Sequence, residues 1–439
     1  MVLIVNTSNS AGALHGSRVE SLRSLMAITF MLAVFISLFS VGTADKVQSD
    51  GGSNLFRQLT WIVIGLIVLF RCFSMERHVK IDLQFNSGML AAILLLGYCL
   101  VSFLWSAIPD VSLKRAILFG LMISLCFATF GKKTQNPASF LQVMAWPLGI
   151  LLILSFVFTA ISPSVAITSI GWRGVTSFKN EFGQLCAISL LVFSFTVFEV
   201  QKYRKSMWLM AVLSLLGLLL SQSSTCAVAV IAGLLCSLGL LTIRHLLRHS
   251  AGSALMLGLV IAVCVAALVL LLLGVLGGGD IREQFFQVLG KSSTLTGRTK
   301  LWSLVLDNTH LHNPWLGGGY GGFWNGLGSP SSYTSYRFPA GYVGQAHNGY
   351  LDIFNDLGYV GLGFLVSVLL VYGWHIFRHY RAGRPEFYFH LAFFIYIILE
   401  NYAESTFFRL VGFLNIVFFA SLVRVAVSEW VGFDDKKQA

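Results

Sequence analysis

The sequence predicts an all-α polytopic membrane protein with about 12 transmembrane helices and one large external loop that carries short helices. Three observations predict this. First, the 439 residues are 56% apolar and only 11% charged, whereas soluble domains carry roughly 25% charged residues. Second, apolar stretches of about 17 to 25 residues recur along the chain, each able to cross ~30 Å of hydrocarbon as a helix. Third, basic residues gather in alternate loops, the orientation signal of multi-pass proteins. A transmembrane β-barrel would instead alternate polar and apolar residues over segments of ~10 residues.

In chain order, residues 1–23 form a polar leader with Arg18 and Arg23, expected in the cytoplasm. The apolar run behind it continues to full spanning length, so no cleavable signal peptide is expected. The expected spans are 24–41, 58–73, 88–106, 112–130, 141–161, 182–199, 206–221, 224–243, 253–276, 358–377, 386–402 and 407–427. An even count puts both termini on the cytoplasmic side. Every cytoplasmic loop is then basic, from Arg71, Arg77 and Lys80 through Lys202, Arg204 and Lys205 to Arg378, Arg381 and Arg384. The short external loops are sparser, with Lys46 and Arg57 in one and Asp110 in another. Three parts are expected: an N-terminal membrane domain, 1–276, a large external loop with the active-site elements, 277–357, and C-terminal membrane helices with a cytoplasmic tail, 358–439.

The net charge of +11 does not indicate nucleic acid, because most of the cations flank spans. The cysteines, Cys72, Cys99, Cys126, Cys186, Cys226, Cys236 and Cys264, fall in or beside apolar spans without a CxxC pair. They read as small buried hydrophobes. His310 and His312 form an HLH sequence, but no HExxH or partnered carboxylate spacing supports a metal site. No cofactor is expected.

Polar chemistry concentrates in the large loop. Residues 297–310 have helical spacing in Leu301, Trp302, Val305 and Leu306 and end before Asn313-Pro314. Residues 347–357 are expected to form a second short helix leading into span ten. Between them lies a glycine run, Gly317, Gly318, Gly319, Gly321 and Gly322, around Tyr320. It reads either as a ligand loop with free N–H groups or as a tight turn packing Tyr320, Phe323 and Trp324. It is not a P-loop, because no Lys-Ser/Thr follows. His347, in AHNGYLD, is expected at the second helix's start, where the dipole helps keep a neutral base. The alternative is a capping histidine bonded to a carbonyl.

The external cations Arg173, Lys179, Arg298, Lys300, Arg337 and Arg409 suit an anionic ligand as a cluster. Singly, each can pair with Asp280, Glu283, Asp307, Asp352 or Asp356, or with lipid headgroups. Glu400 and Glu404 stand i, i+4 at the outer end of span eleven. Carboxylates there are costly and usually functional or paired. They can orient His347, bind a sugar hydroxyl, or pair with Arg409. No DxD pair and no GxSxG elbow occurs. Span interiors hold few charges, which disfavours a transporter or flippase of polysaccharide, the reading from another class.

The segments GRTKLW (297–302), GGGYGGFW (317–324) and AHNGYLDIFNDLGYVGL (346–362) together resemble the signature of the O-antigen ligase/polymerase superfamily, in its ExoQ-type exopolysaccharide-polymerase branch. RGVTSFKNEFG (173–183) and LLLSQSSTCAVA (218–229) resemble two further elements of that family. The resemblance implies a GT-C-like glycosyltransferase of the bacterial cytoplasmic membrane, with the large loop in the periplasm. Its partners would be an undecaprenyl-diphosphate-linked oligosaccharide, the lipid bilayer and, around it, a flippase and a chain-length regulator. It implies that Arg173, Lys179 and Arg298 hold the diphosphate and that His347, followed by Asn348, activates the acceptor hydroxyl. By residue type rather than by the resemblance, Gly319 suits close approach of a ligand and Tyr320 suits sugar stacking, with interfacial anchoring as the alternative. Relatives often carry a basic residue in the S-x-S-x-T element, where this chain has Ser223-Ser224. A cation for that role then comes from Arg337 or Arg409, or the role is dispensable. The reaction expected is polymerisation of lipid-linked repeats, with transfer to lipid A core or protein as the alternative.

Overall fold

The structure is a computed structural model that describes residues 24–39, 55–76, 86–131, 137–199, 201–249, 298–326, 328–338, 342–384, 386–409 and 412–428. Its long helices are α1 (Ser24–Leu38), α2 (Leu55–Glu76), α3 (Ser87–Val101), α4 (Pro109–Phe130), α5 (Pro137–Ile161), α6 (Lys179–Glu199), α7 (Arg204–Ser221) and α8 (Ser224–His249). After them come α9 (Arg298–His312), α10 (Gly349–Arg381), α11 (Phe387–Glu400) and α12 (Phe413–Ser428). Among the described residues, 7 helices are long and apolar enough to cross a membrane. Shorter apolar helical segments lie at Ser24–Leu38, Leu59–Phe70, Phe387–Glu400 and Phe413–Val427. The chain is an all-α multi-pass membrane protein. The expected ninth span, 253–276, lies outside the described residues, as does the start of the large loop.

Helix α6 is the centre of the bundle. Buried residues fill 83% of its spanning window, against 28–39% for the other six. It packs against α5, α7, α8 and α11. A helix enclosed on all sides needs no polar stripe, and between Leu185 and Val197 the polar residues of α6 are only Ser189, Ser194 and Thr196. Lipid supplies no hydrophobic drive between helices, so close approach depends on small residues. At Gly233 of α8, a Cβ would strike the Ala392 carbonyl of α11.

Two expected elements are drawn differently. The second short helix and span ten are one continuous element, α10, broken at Gly358 (φ 65°, ψ −163°). The loop carbonyls of Pro314 and Trp315 accept from Tyr359 and Val360 N–H at 2.9 and 3.2 Å, restarting the helix after the break. A side chain at 358 would strike the Trp315 carbonyl, so the break needs glycine. Span twelve begins at Phe413 rather than 407. The preceding residues are held out of helix by side-chain acceptors. Asn401 Oδ1 takes Thr406 and Phe407 N–H at 3.0 and 2.8 Å, and Asn415 Oδ1 takes Phe408 N–H at 3.0 Å. These are the turns that bring the candidate site together.

At the far end of α11 from Glu400 lies a different buried polar group. Arg424 donates to both oxygens of Glu386 at 2.8 and 3.1 Å, and His390 Nδ1 is 2.6 Å from Ser421 Oγ. It ties α12 to the start of α11.

Candidate functional site

Glu404 is the junction of the site. It sits in the turn after α11, with its side chain 8% exposed. Its Oε1 accepts from Asn180 Nδ2 at 2.7 Å and faces Arg298 Nη2 at 3.5 Å. Its Oε2 lies 3.7 Å from His347 Nδ1. Arg298, the first residue of α9, also donates to the Ala403 carbonyl. Three separate segments thus converge on one carboxylate carried by a fourth. His347 keeps 31% of its side chain exposed, so a substrate can reach the ring.

Glu400 lies one helical turn earlier and is fully buried. Gln184 Nε2 donates to its Oε1 at 2.7 Å and Thr406 Oγ1 to its Oε2 at 2.8 Å. Asn180 and Gln184 are spaced i, i+4 on α6, matching Glu404 and Glu400 around α11. Residues three or four apart share a helix face, so two carboxamides meet two carboxylates side by side. Sequence reasoning passed over Asn180 and Gln184. The signal was present as the repeated i, i+4 polar pair at the start of an apolar helix.

His347 precedes the helix rather than opening it. Asn348 is the N-cap of α10, and its Oδ1 accepts from Tyr350 and Leu351 N–H at 3.1 Å each. His347 has φ 51°, a left-handed conformation that favours glycine. The neighbouring peptide is held by Trp302 of α9, whose Nε1 donates to the Ala346 carbonyl at 2.8 Å. Gly349 N–H lies within bonding distance of the Asn401 and Glu404 carbonyls, at 2.8 and 2.9 Å. The Gln345 amide nitrogen lies 3.2 Å from His347 Nδ1.

The other expected site residues stand elsewhere. Arg173 Nε donates to the Val165 carbonyl at 2.8 Å and Lys179 Nζ to the Ile170 carbonyl at 3.0 Å. Both brace the short hairpin of β1 (Ile167–Thr168) and β2 (Gly171–Trp172). That hairpin abuts the turn at Ser221–Ser223, since a Cβ on Gly171 would meet the Ser221 carbonyl and one on Gly183 would meet Ser223. Tyr320 is 3% exposed and donates its hydroxyl to the Phe408 carbonyl at 2.6 Å. Gly319, at φ 87°, packs on Ser106. The glycine run is therefore a tight turn, and Tyr320 is too enclosed to stack on a sugar. Arg115 of α4, absent from the sequence reading, braces this turn through the Gly321 carbonyl.

Arg337 ends a short helical turn, Thr334–Arg337, and is exposed. Arg409 is exposed and lies within electrostatic range of Asp352 and Arg115, so the pairing of Glu404 falls to Arg298 instead. Tyr333 is pushed up to about 12 by burial and by Asp307, which keeps its hydroxyl protonated at neutral pH. Among the described residues, no three His, Cys, Asp or Glu side chains gather to hold a metal ion. The side chains of His310 and His312 lie outside the described part.

Residues 209–366 match the family model described as O-antigen ligase. That span contains Arg298, the glycine turn and His347. The chain is thus similar to O-antigen ligase family proteins over this segment. It is also similar to the exopolysaccharide production protein ExoQ of Rhizobium meliloti (strain 1021), with 26% identity over 283 residues. The match covers 62% of this chain and 62% of that protein's length. Asn180, Gln184, Glu400 and Glu404 fall outside the matched segment.

Proposed function

We propose that the protein is a membrane glycosyltransferase that polymerises undecaprenyl-diphosphate-linked oligosaccharide repeats into exopolysaccharide at the outer face of the cytoplasmic membrane. The observation that carries this reading is the convergence of His347, Glu404 and Arg298 from three segments far apart in sequence. A diphosphate-linked sugar is already activated. The enzyme must align donor and acceptor, deprotonate the incoming hydroxyl and stabilise the departing diphosphate. His347 Nε2 takes the acceptor proton, while Glu404 beside Nδ1 orients the ring and stabilises the imidazolium that forms. Arg298 is the cation within this group and attracts the diphosphate. Attack at C1 opposite the leaving group inverts the anomeric configuration.

Arg173 and Lys179 shape the adjoining hairpin, and in this reading the hairpin rather than a free guanidinium presents the lipid-linked donor. The GT-C-like topology of about 12 spans, with both termini cytoplasmic and residues 277–357 periplasmic, rests on the charge pattern of the loops. Similarity to an exopolysaccharide production protein favours polymerisation. The family description, O-antigen ligase, supports transfer of the glycan to lipid A core or protein as the second reading.

The test is purified protein with a labelled lipid-linked repeat as sole substrate. A ladder of lengthening products is expected. Transfer only after a second acceptor is added would assign the ligase reaction, and no transfer in either case would sink the glycosyltransferase reading. His347→Ala and Arg298→Ala are each expected to abolish product without loss of expression.

A further inference from the structure

His347 needs an external hold, because its left-handed backbone is one that non-glycine side chains rarely adopt. The hold can be traced. Asp352, one turn into α10, accepts Ala346 N–H on its Oδ1 at 2.9 Å. Ser405 Oγ accepts Asn348 N–H at 3.0 Å, and Ser405 is hydrogen-bonded to the Asp352 side chain. The backbone N–H groups of the residues on both sides of His347, Ala346 and Asn348, therefore end on the same carboxylate, one directly and one through a hydroxyl. Asp352 Oδ1 also accepts the Trp324 indole N–H at 2.8 Å. One side chain thus joins the histidine turn, the glycine turn and the segment that carries Glu404.

We propose that Asp352 is the positioning residue of this site, clamping the peptides that flank His347 so that its imidazole is held in register with Glu404 and the incoming hydroxyl. The inference rests on His347 acting as the base. Asp352 touches neither the ring nor Arg298 in any hydrogen bond of the structure, so it acts through the backbone. A carboxylate suits the task for two reasons. It accepts several N–H and O–H donors at once, and it sits in the first turns of a helix, where negative charge is stabilised. Asparagine can accept the same two N–H groups but cannot accept on its amide nitrogen. It therefore preserves part of the clamp, and alanine preserves none.

The experiment measures steady-state transfer by full-length protein in nanodiscs, with a labelled undecaprenyl-diphosphate oligosaccharide as substrate. Asp352→Ala is expected to lower kcat about 100-fold, the scale of a misplacement of roughly 1 Å. Donor KM should stay within about threefold, as it does when only transition-state geometry is lost. Asp352→Asn should recover at least about tenfold of that loss. Wild-type kcat in Asp352→Ala, or a loss carried by KM alone, overturns the positioning role. His347→Ala is run beside it: if that variant keeps wild-type turnover, the base reading falls and the positioning role with it. If His347→Ala is inactive and Asp352→Ala is not, only the positioning role falls. Should Asp352→Ala aggregate, Ser405→Ala decides. A drop in kcat of about tenfold at unchanged KM supports the clamp, and wild-type kcat overturns it.

Discussion

Replacing Glu404 with glutamine tests the junction of the site with almost no change in shape. The carboxylate receives Asn180 at 2.7 Å, faces Arg298 at 3.5 Å and stands 3.7 Å from the His347 ring. The amide keeps one acceptor and places a donor where the second oxygen was. If that donor turns to His347, the orienting charge is gone. If it turns to Asn180 and Arg298, two donors face a third. Losing a charge-assisted hydrogen bond at an 8% exposed carboxylate removes about 1.5–3 kcal/mol. The loss of folding stability should be smaller, because Arg298 is 19% exposed and water compensates part of it. Turnover is expected to suffer more, falling by about 10²–10⁴, the range that acid–base catalysis supplies. The assay is the initial rate of product-ladder formation by purified Glu404→Gln, with size-exclusion monodispersity as the folding control. A monodisperse variant with wild-type rate would refute the role of Glu404 in orienting His347.

Three further outcomes follow from the geometry. Asn180→Ala should leave expression intact but lower turnover by about tenfold, because it frees one oxygen of Glu404 without removing its charge; an unchanged rate would show that Arg298 alone fixes that carboxylate. Gly319→Val should lower thermal stability by at least about 1–2 kcal/mol from its backbone alone, since φ is 87° and a Cβ would overlap Ser106; an unchanged melting temperature in detergent would contradict the turn described. Arg424→Ala strands the buried Glu386 carboxylate and should cost about 3–5 kcal/mol, read as an earlier midpoint of thermal aggregation. Transfer by the surviving folded fraction should persist, because Glu386 lies roughly 20 Å along α11 from Glu400.

Hydropathy made the membrane helices legible, because ~20 apolar residues leave few alternatives in lipid. The boundaries that went astray are those set by single polar side chains. Asn401 and Asn415 delay α12 by several residues, and Gly358 splits α10 without ending it. Hydropathy averages over windows and does not register such local acceptors. Within the site, Arg298, His347 and Glu404 were legible as polar residues in an apolar chain. That Glu404 can orient His347 was legible too; which cation pairs with that carboxylate, Arg298 rather than Arg409, was not, since it depends on long-range packing. Arg173 and Tyr320 show the converse limit. A residue type suited to a ligand was found, but the sequence did not show that each also donates to a nearby carbonyl, Arg173 Nε to Val165 and the Tyr320 hydroxyl to Phe408. Arg115 was missed because it sits within the first turns of a spanning helix and reads as a flanking cation.

The two carboxamides of α6 reach the two carboxylates at and just after the end of α11 across more than two hundred residues of sequence. A chain threading into a bilayer from its N-terminus would present Asn180 and Gln184 long before their acceptors exist. The last elements to arrive complete the constellation, so under the proposed function transfer is expected only once insertion is nearly finished. Split versions of the protein, cut between α8 and α9, should therefore be inactive as separate halves and regain transfer when both are co-expressed.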